Sequence, residues 1–499
     1  MSARSADQAT LKEVARELGF ELSSEDLEAC SQIVAGMLGG ATQTSNSASE
    51  VAGPERDWWS PSAEENPHGA WHVRTRLRTR EDGPLAGLRV ALKDNVMLAG
   101  VPLLNGSALL EGYVAEVDAT VATRLLEAGA EIAGKAHCEN FCLSAGSHTC
   151  VSGPVHNPHR RGHTSGGSSS GSAALVAAGD VELAVGGDQG GSIRIPASYC
   201  GVVGMKPTHG LVPYTGAVPL EPYVDHLGPI TRDVRDNARM LEVLAGPDGI
   251  DGRQSGPLPG GYVEALGEAV AGRRVALLCE GFGHGNPAVD AVVRDAAHSL
   301  AAQGVEVVDV SIPEHITAAG GSLAVLTEGA YRVFVYGDGL GVGRSDLYPP
   351  GYMQRIRAWR ERPETLPWLL KAMILVGRIR ERESGASGYG QAVHRARQLR
   401  ARYDAALAEV DCLVMPTTPD TAPLLPPPDA SPLESMASAS MGTVNTGVFD
   451  VSHHPALSIP CGMLEGLPVG MMLVGRRGDE AGLYRLAHAF EQARGGAAD

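Results

Sequence analysis

Lysine is nearly missing from this chain. Five lysines, Lys12, Lys93, Lys135, Lys206 and Lys371, stand among 41 basic residues in 499. A chain that meets its surface with arginine keeps lysine for tasks a guanidinium cannot perform. One such task is to act as a neutral amine, which desolvation can produce for lysine but not for arginine. Lys93, Lys135 and Lys206 are candidates on that ground. Long apolar runs are also missing: none approaches the roughly 18 residues of a bilayer span. The N-terminal stretch MSARSADQATLKEVARELGF has no apolar h-region, so a cytoplasmic protein with no membrane partner is expected. The net charge of −17, with no basic stripe to offset it, argues against a nucleic-acid partner. Eight cysteines in such a length form no disulfide framework. Cys138, Cys142 and Cys150, near His137 and His148, match no metal-ligand spacing and read as buried thiols. No metal and no cofactor is expected.

The chain is long enough to bury a large core, and 43% hydrophobic and 20% charged residues are ordinary for a globular protein. Leu11, Val14, Ala15 and Leu18 recur at helical spacing, as do Leu27, Cys30, Val34 and Met37. Ser23 and Asp26 read as a capping box opening the second helix, Gly39-Gly40 as its end, and 41–47 as a polar loop. Residues 1–75 are therefore expected to form a helical extension, and 76–499 the main domain. From about Leu85 the pattern turns α/β. Leu88 to Leu92 reads as a strand ending at Lys93, and Asp118 as the cap of a helix through Val121, Leu125 and Leu126. Glu131 to Gly134 is the next strand, Ser170 to Ala178 a helix of small residues, and Val181 to Val185 a buried strand. Strands alternating with helices predict a layered α/β core. The segment at about 310–400, with Trp359, Trp368 and an arginine-rich run at 378–382, predicts helices that cover a pocket or form an outer layer.

The chemistry concentrates between Gly166 and Pro196. Two glycine-flanked serine clusters, Gly166-Gly167-Ser168 and Gly190-Gly191-Ser192, bracket a small-residue segment and an apolar run. Glycines let successive backbone N–H groups face one concavity, an anion-binding nest that would seat Ser192 beside its own oxyanion hole. A glycine-rich turn that binds nothing has the same composition. Ser169 satisfies G-x-S-x-G, but that elbow must follow a buried strand, and 156–164 is a polar loop. His156, His159 and His163 in this loop have helix-face spacing, yet Pro158 and Gly162 oppose a helix there, so the cluster reads as incidental.

Together with Lys93 in Ala91-Leu92-Lys93-Asp94-Asn95, the two clusters resemble the amidase signature family, serine hydrolases that use Ser-Ser-Lys. Asp188-Gln189-Gly190-Gly191-Ser192 is most similar to the bacterial amidases that accompany nitrile hydratases. The resemblance covers about 65–487 apart from 310–400. It implies an α/β/α sandwich around a mixed β-sheet, with Ser192 as nucleophile, Ser168 on a cis peptide as the bridging serine and Lys93 as the base. It also implies an acyl-enzyme formed with release of ammonia, and an oxyanion held near Gln189, Gly190 and Gly191. The N-terminal helices would be a dimerisation element of a homodimer, or else a packing extension. The relay requires a neutral Lys93, which Asp94 would oppose unless strand alternation turns it away. Asp188 and Arg194 flank the nucleophile and would brace its loop as a charge-assisted pair, whereas on the surface they would be worth little. Two positions depart from the family pattern: Gly187 precedes the aspartate, and Ser452-His453 replaces a Thr-Gly pair. The expected substrate is a small aliphatic or aromatic primary amide. The same motif also serves an amidotransferase subunit that frees ammonia from glutamine, and acyl transfer to an amine. An intact Lys93, Ser168 and Ser192 argues against a silent scaffold.

Overall fold

A computed structural model describes residues 7–45, 53–254, 260–317, 319–440 and 442–495. The chain divides into two compact units, Met1–Gly53 and Pro54–Asp499. The first contains α1 (Gln8–Glu17) and α2 (Ser24–Ser45). Asp7 caps α1 by accepting the Thr10 N–H, and Ser23 Oγ opens α2 by accepting the Asp26 N–H at 3.1 Å. Unlike the expectation, α2 does not stop at Gly39-Gly40 but continues through 41–45. Each glycine costs a helix about 1 kcal/mol but removes no hydrogen-bond donor, so the pair weakens the helix without ending it. The end of the expected loop, 46–47, lies outside the described residues.

The second unit starts before the expected boundary at 75/76, because Trp71–Leu77 is already a strand of its sheet, with Trp71, Val73 and Thr75 turned inward. The described strands are β1 (Trp58–Trp59), β2 (Trp71–Leu77), β3 (Arg89–Lys93), β4 (Glu131–Ala136), β5 (Leu183–Asp188) and β6 (Val203–Lys206). They continue with β7 (His226–Thr231), β8 (Arg274–Leu278), β9 (Glu306–Val310), β10 (Cys412–Pro416), β11 (Ala456–Leu464) and β12 (Leu467–Val474). All belong to one mixed sheet ordered β1-β2-β4-β3-β5-β7-β6-β11-β12-β10-β8-β9.

The centre of that sheet positions the site. β3 runs parallel to β4 and β5, with Leu92 beside Val185, so Lys93 and Gly187-Asp188 leave the sheet at the same end. Side chains alternate between two helical layers. Val90, Leu92 and Val185 pack with Val121 and Leu125 of α3 (Thr120–Glu127). On the other face Ala91 and Ala184 meet Ala173 and Ala174 of α4 (Ser170–Ala178). Small residues let α4 come close: a Cβ on Gly171 would fall 2.3 Å from the Ala70 carbonyl oxygen. The result is the expected α/β/α sandwich. Asp118 does not cap α3; its carboxylate is drawn to Arg56 and to the Ala99 N–H, and Ala119 stands at the cap. The segment from 319 to 409 is mainly helical, with Ala319–Tyr331, Trp368–Ser384 and Ser387–Glu409 as its long elements.

One buried histidine sets a pH dependence. His315 is fully buried, with Nδ1 2.7 Å from the Tyr403 hydroxyl and Nε2 3.1 Å from Asn445 Oδ1. Burial, against the weaker pull of Asn445, lowers its pKa to about 4. The unfolded chain takes up this proton below about pH 6.5 and the folded chain only near pH 4. The stabilisation is therefore whole above pH 6.5 and is lost as the pH falls. The stability difference between wild type and His315→Gln, measured by urea unfolding, is expected to shift by roughly 2 kcal/mol against wild type between pH 7.5 and pH 5. An unchanged difference would show that the imidazole titrates alike in both states.

Candidate active site

Lys93 ends β3, Ser168 lies in the long loop between β4 and α4, and Ser192 follows the carboxyl end of β5. Lys93 is fully buried, with Nζ 2.8 Å from Ser168 Oγ, and it donates to the Gly187 carbonyl oxygen at 3.0 Å. Ser168 follows a cis Gly167–Ser168 peptide, and the Ser169 N–H donates to the Ser192 carbonyl oxygen at 3.2 Å, joining the two serine loops. The first loop has no room for side chains at its glycines: a Cβ on Gly167 would fall 2.0 Å from the Gly146 carbonyl oxygen. Glu139 supports it. Its N–H donates to the Ser168 carbonyl oxygen, and its carboxylate accepts from Ser170 Oγ and the His148 and Thr149 N–H groups. Burial pushes Glu139 up to about 7. No spacing in the sequence singles this residue out.

The lysines separate by their partners. Lys135 is paired with Asp94 at 2.9 Å, both side chains buried. Burial would raise Asp94, but His72 and Lys135 outweigh it and hold the carboxyl well below the usual range. Asp94 also accepts from the Leu104 and Asn105 N–H groups, so it is turned to the side opposite Lys93. Lys206 donates to the Pro207 carbonyl oxygen and is lowered by burial to about 8. Of these three candidates, Lys93 is the one that meets Ser168. Ser169, the residue of the G-x-S-x-G pattern, is fully buried and spends its hydroxyl on β5, donating to the Gly187 carbonyl oxygen and accepting the Gly187 N–H.

The loop that carries Ser192 is held by buried charge. Asp188 accepts the Gly191 N–H at 2.6 Å, the Ile193 N–H at 3.0 Å, and both Nε and Nη2 of Arg194. The Gly191 N–H, expected to face an oxyanion, is held by the Asp188 carboxylate. Gly191 serves the loop's shape instead. Its φ is +126°, and a Cβ there would fall 2.3 Å from Thr446 Oγ1. Arg194 and Asp188 are fully buried, so the pair is no surface ornament. Arg194 also donates to Asp450 at 2.8 Å and to the Thr446 carbonyl oxygen. Burial would raise both aspartates. For Asp188 the arginine outweighs it and holds the carboxyl low, while Asp450, with Asp188 beside it, stays well above the usual range.

Ser192 opens into a cavity of about 460 Å³. Leu143, Ile195, Leu220, Val448 and Val451 form part of its wall, and Leu369 and Met373 of the 368–384 helix close one side. None of the described lining residues is charged. Gln189 also lines it; its Nε2 donates to the Tyr214 hydroxyl at 3.0 Å, while its Oε1 has no partner. His453 is not part of the wall. It takes a left-handed conformation after the Gly447–Ser452 helix and stacks on His209 with ring centroids 4.1 Å apart. Sequence spacing shows neither the apolar wall nor Asp450, because these residues come from loops and helices hundreds of positions apart.

The pattern of the family described as Amidase matches residues 57–484. The chain belongs to the amidase signature family. An enantioselective amidase of Rhodococcus rhodochrous is 47% identical over 455 residues, 89% of this chain and 86% of that protein. A glutamyl-tRNA(Gln) amidotransferase subunit of Koribacter versatilis (strain Ellin345) is 37% identical over 412 residues, covering 82% of this chain and 85% of that one. Among solved structures, the native peptide amidase from Stenotrophomonas maltophilia superposes with a TM-score of 0.69 at 29% identity, covering 82% of this chain and 83% of that one. Amidase signature membership makes the chain a hydrolase acting on amide C–N bonds.

Proposed function

We propose that this amidase hydrolyses small apolar primary carboxamides through an acyl-enzyme on Ser192. Ser192 Oγ attacks the carbonyl carbon as Ser168 takes its proton and passes its own to neutral Lys93. The N–H groups of Gln189, Gly190 and Ser192 hold the oxyanion. The relay then reverses, protonates the leaving nitrogen and frees ammonia. Water, deprotonated along the same path, releases the acid. The 2.8 Å contact between Lys93 and Ser168 supports this order of proton transfer.

The uncharged cavity carries the choice of substrate. Glutamine would bring an ammonium and a carboxylate into a space with no described charge to meet them, whereas a phenyl or alkyl group gains from the apolar wall. Ammonia release from benzamide, propionamide, a chiral arylpropionamide and glutamine tests the choice. Benzamide is expected to exceed glutamine in kcat/KM by about a hundredfold or more, about 2.7 kcal/mol. Equal turnover of glutamine would favour the amidotransferase reading. Resemblance to an enantioselective amidase supports unequal rates for the two hands of the arylpropionamide.

We further propose a cytoplasmic homodimer with the helical unit Met1–Gly53 as its dimerisation element. Val14, Leu18, Phe20, Ile33 and Met37 of that unit are exposed apolar side chains, a cost that a partner copy would remove. Deleting residues 1–53 is expected to halve the mass measured by light scattering. A dimer that survives the deletion places the interface elsewhere.

A further inference from the structure

A thiol shares the reacting centre with the serines. Cys142 ends the short turn Asn140–Cys142 and lies on the wall of the same cavity as Ser192. Both Phe141 and Cys142 take left-handed backbone angles, φ +51° and +59°, which turn the chain sharply at the cavity wall. The Cys142 and Cys138 thiols both donate to Asn105 Oδ1 at 3.4 Å. The Lys93 amine and the Ser168 hydroxyl are also neighbours of the Cys142 sulfur. We propose that Cys142 is a second nucleophile of this cavity, a capture site for small neutral carboxamides that carry a leaving group on the carbon next to the carbonyl. The inference rests on reading the cavity as the acyl site and Lys93 as its base.

Three observations support it. Burial works against ionisation of Cys142, but the Cys138 thiol and the Lys93 amine beside the sulfur outweigh burial and bring the thiol below its ordinary range. Burial instead raises Cys150 and Cys461 to about 12, and Cys138 well above the ordinary value. The thiolate is the reactive form of cysteine, so reactivity should concentrate at position 142. Finally, Gln189, 4% exposed on the same wall, offers an unpartnered Oε1 to which a carboxamide N–H can donate.

The step balances. A sulfur electron pair forms the S–C bond, the carbon–halogen bond breaks and its pair departs with the halide, and the thiol proton passes to the Lys93 amine. The adduct fills the cavity beside Ser192, and the proton on Lys93 is given up to solvent. Capture therefore ends hydrolysis.

The test is iodoacetamide treatment of the wild-type protein and of Ser192→Ala, with peptide mass mapping of the cysteines over time. Cys142 is expected to be alkylated about tenfold faster than exposed Cys279 in both proteins, despite its burial. Saturating benzamide should slow Cys142 and spare Cys279. Iodoacetate, of similar size but anionic, should label Cys142 about tenfold more slowly than iodoacetamide does. Lys93→Met should abolish the advantage of Cys142 over Cys279. Labelling of Cys279 before Cys142, or a Cys142 rate that benzamide leaves unchanged, would overturn the inference. Ammonia release from benzamide by untreated wild type separates the two readings. Hydrolysis without Cys142 capture sinks the inference alone, and capture without hydrolysis sinks the substrate assignment.

Discussion

Replacing Ser192 with alanine is expected to lower kcat for benzamide by about a millionfold, as removal of the nucleophile does in other serine hydrolases. The size of the effect follows from the arrangement. Ser169 spends its hydroxyl on both backbone groups of Gly187, so it cannot take over the attack. Lys93→Met should cost nearly as much, because Ser168 would keep its own proton and could not take that of Ser192. Groups acting as one relay are not additive, so the double variant should fall little below Ser192→Ala. Single-turnover ammonia release from the three proteins measures this. A double variant slower by the product of the two losses would mean that Lys93 and Ser192 act in separate steps.

The second large effect concerns Arg194. Arg194→Leu is expected to destabilise the protein by about 3–5 kcal/mol, the range for removing one partner of a buried ion pair. The arginine is fully enclosed and gives Asp188 two hydrogen bonds. Without it, a buried carboxylate must either stay charged, facing the Gly191 and Ile193 N–H groups and the Asp450 carboxyl, or take up a proton. Both outcomes loosen the loop that presents Ser192, so kcat should fall with stability. Arg194→Lys should recover part of the stability, since one ammonium cannot reproduce the forked contacts to Asp188 and Asp450. Urea unfolding at neutral pH gives the first quantity and benzamide turnover the second. A loss under about 1 kcal/mol would place the pair among exposed ion pairs of little value.

The parts of the site that sequence could show are those carried by local chemistry. Glycine-serine clusters demand special backbone, and a lysine at the end of an apolar strand is conspicuous in a chain with so few lysines. Those observations narrowed the candidates, the resemblance to the amidase signature family chose Lys93, Ser168 and Ser192 among them, and strand alternation allowed Asp94 to face away from Lys93. What sequence could not show depends on residues brought together from a distance. Asp450 lies 256 positions from Arg194, and only the fold reveals that Arg194 stands between two carboxylates. Glu139 and Cys142 were hidden because a lone acid or thiol in a loop has no periodicity to betray its direction. Gly191 shows a subtler limit. Glycine spacing suggested a nest of N–H groups, but the structure decides which of them a neighbouring carboxylate has already taken. Helix ends misled for a related reason. Gly39-Gly40 and Asp118 carry the right local signals, yet helical hydrogen bonds in one case and Arg56 in the other override them.

The acyl-enzyme tests the whole account most directly. Wild-type protein mixed with benzamide, quenched in acid during turnover and digested, should yield a benzoyl group on the peptide containing Ser192, absent from Ser192→Ala. A benzoyl group on Ser169 or Cys142 instead, or ammonia release that survives Ser192→Ala, would contradict it.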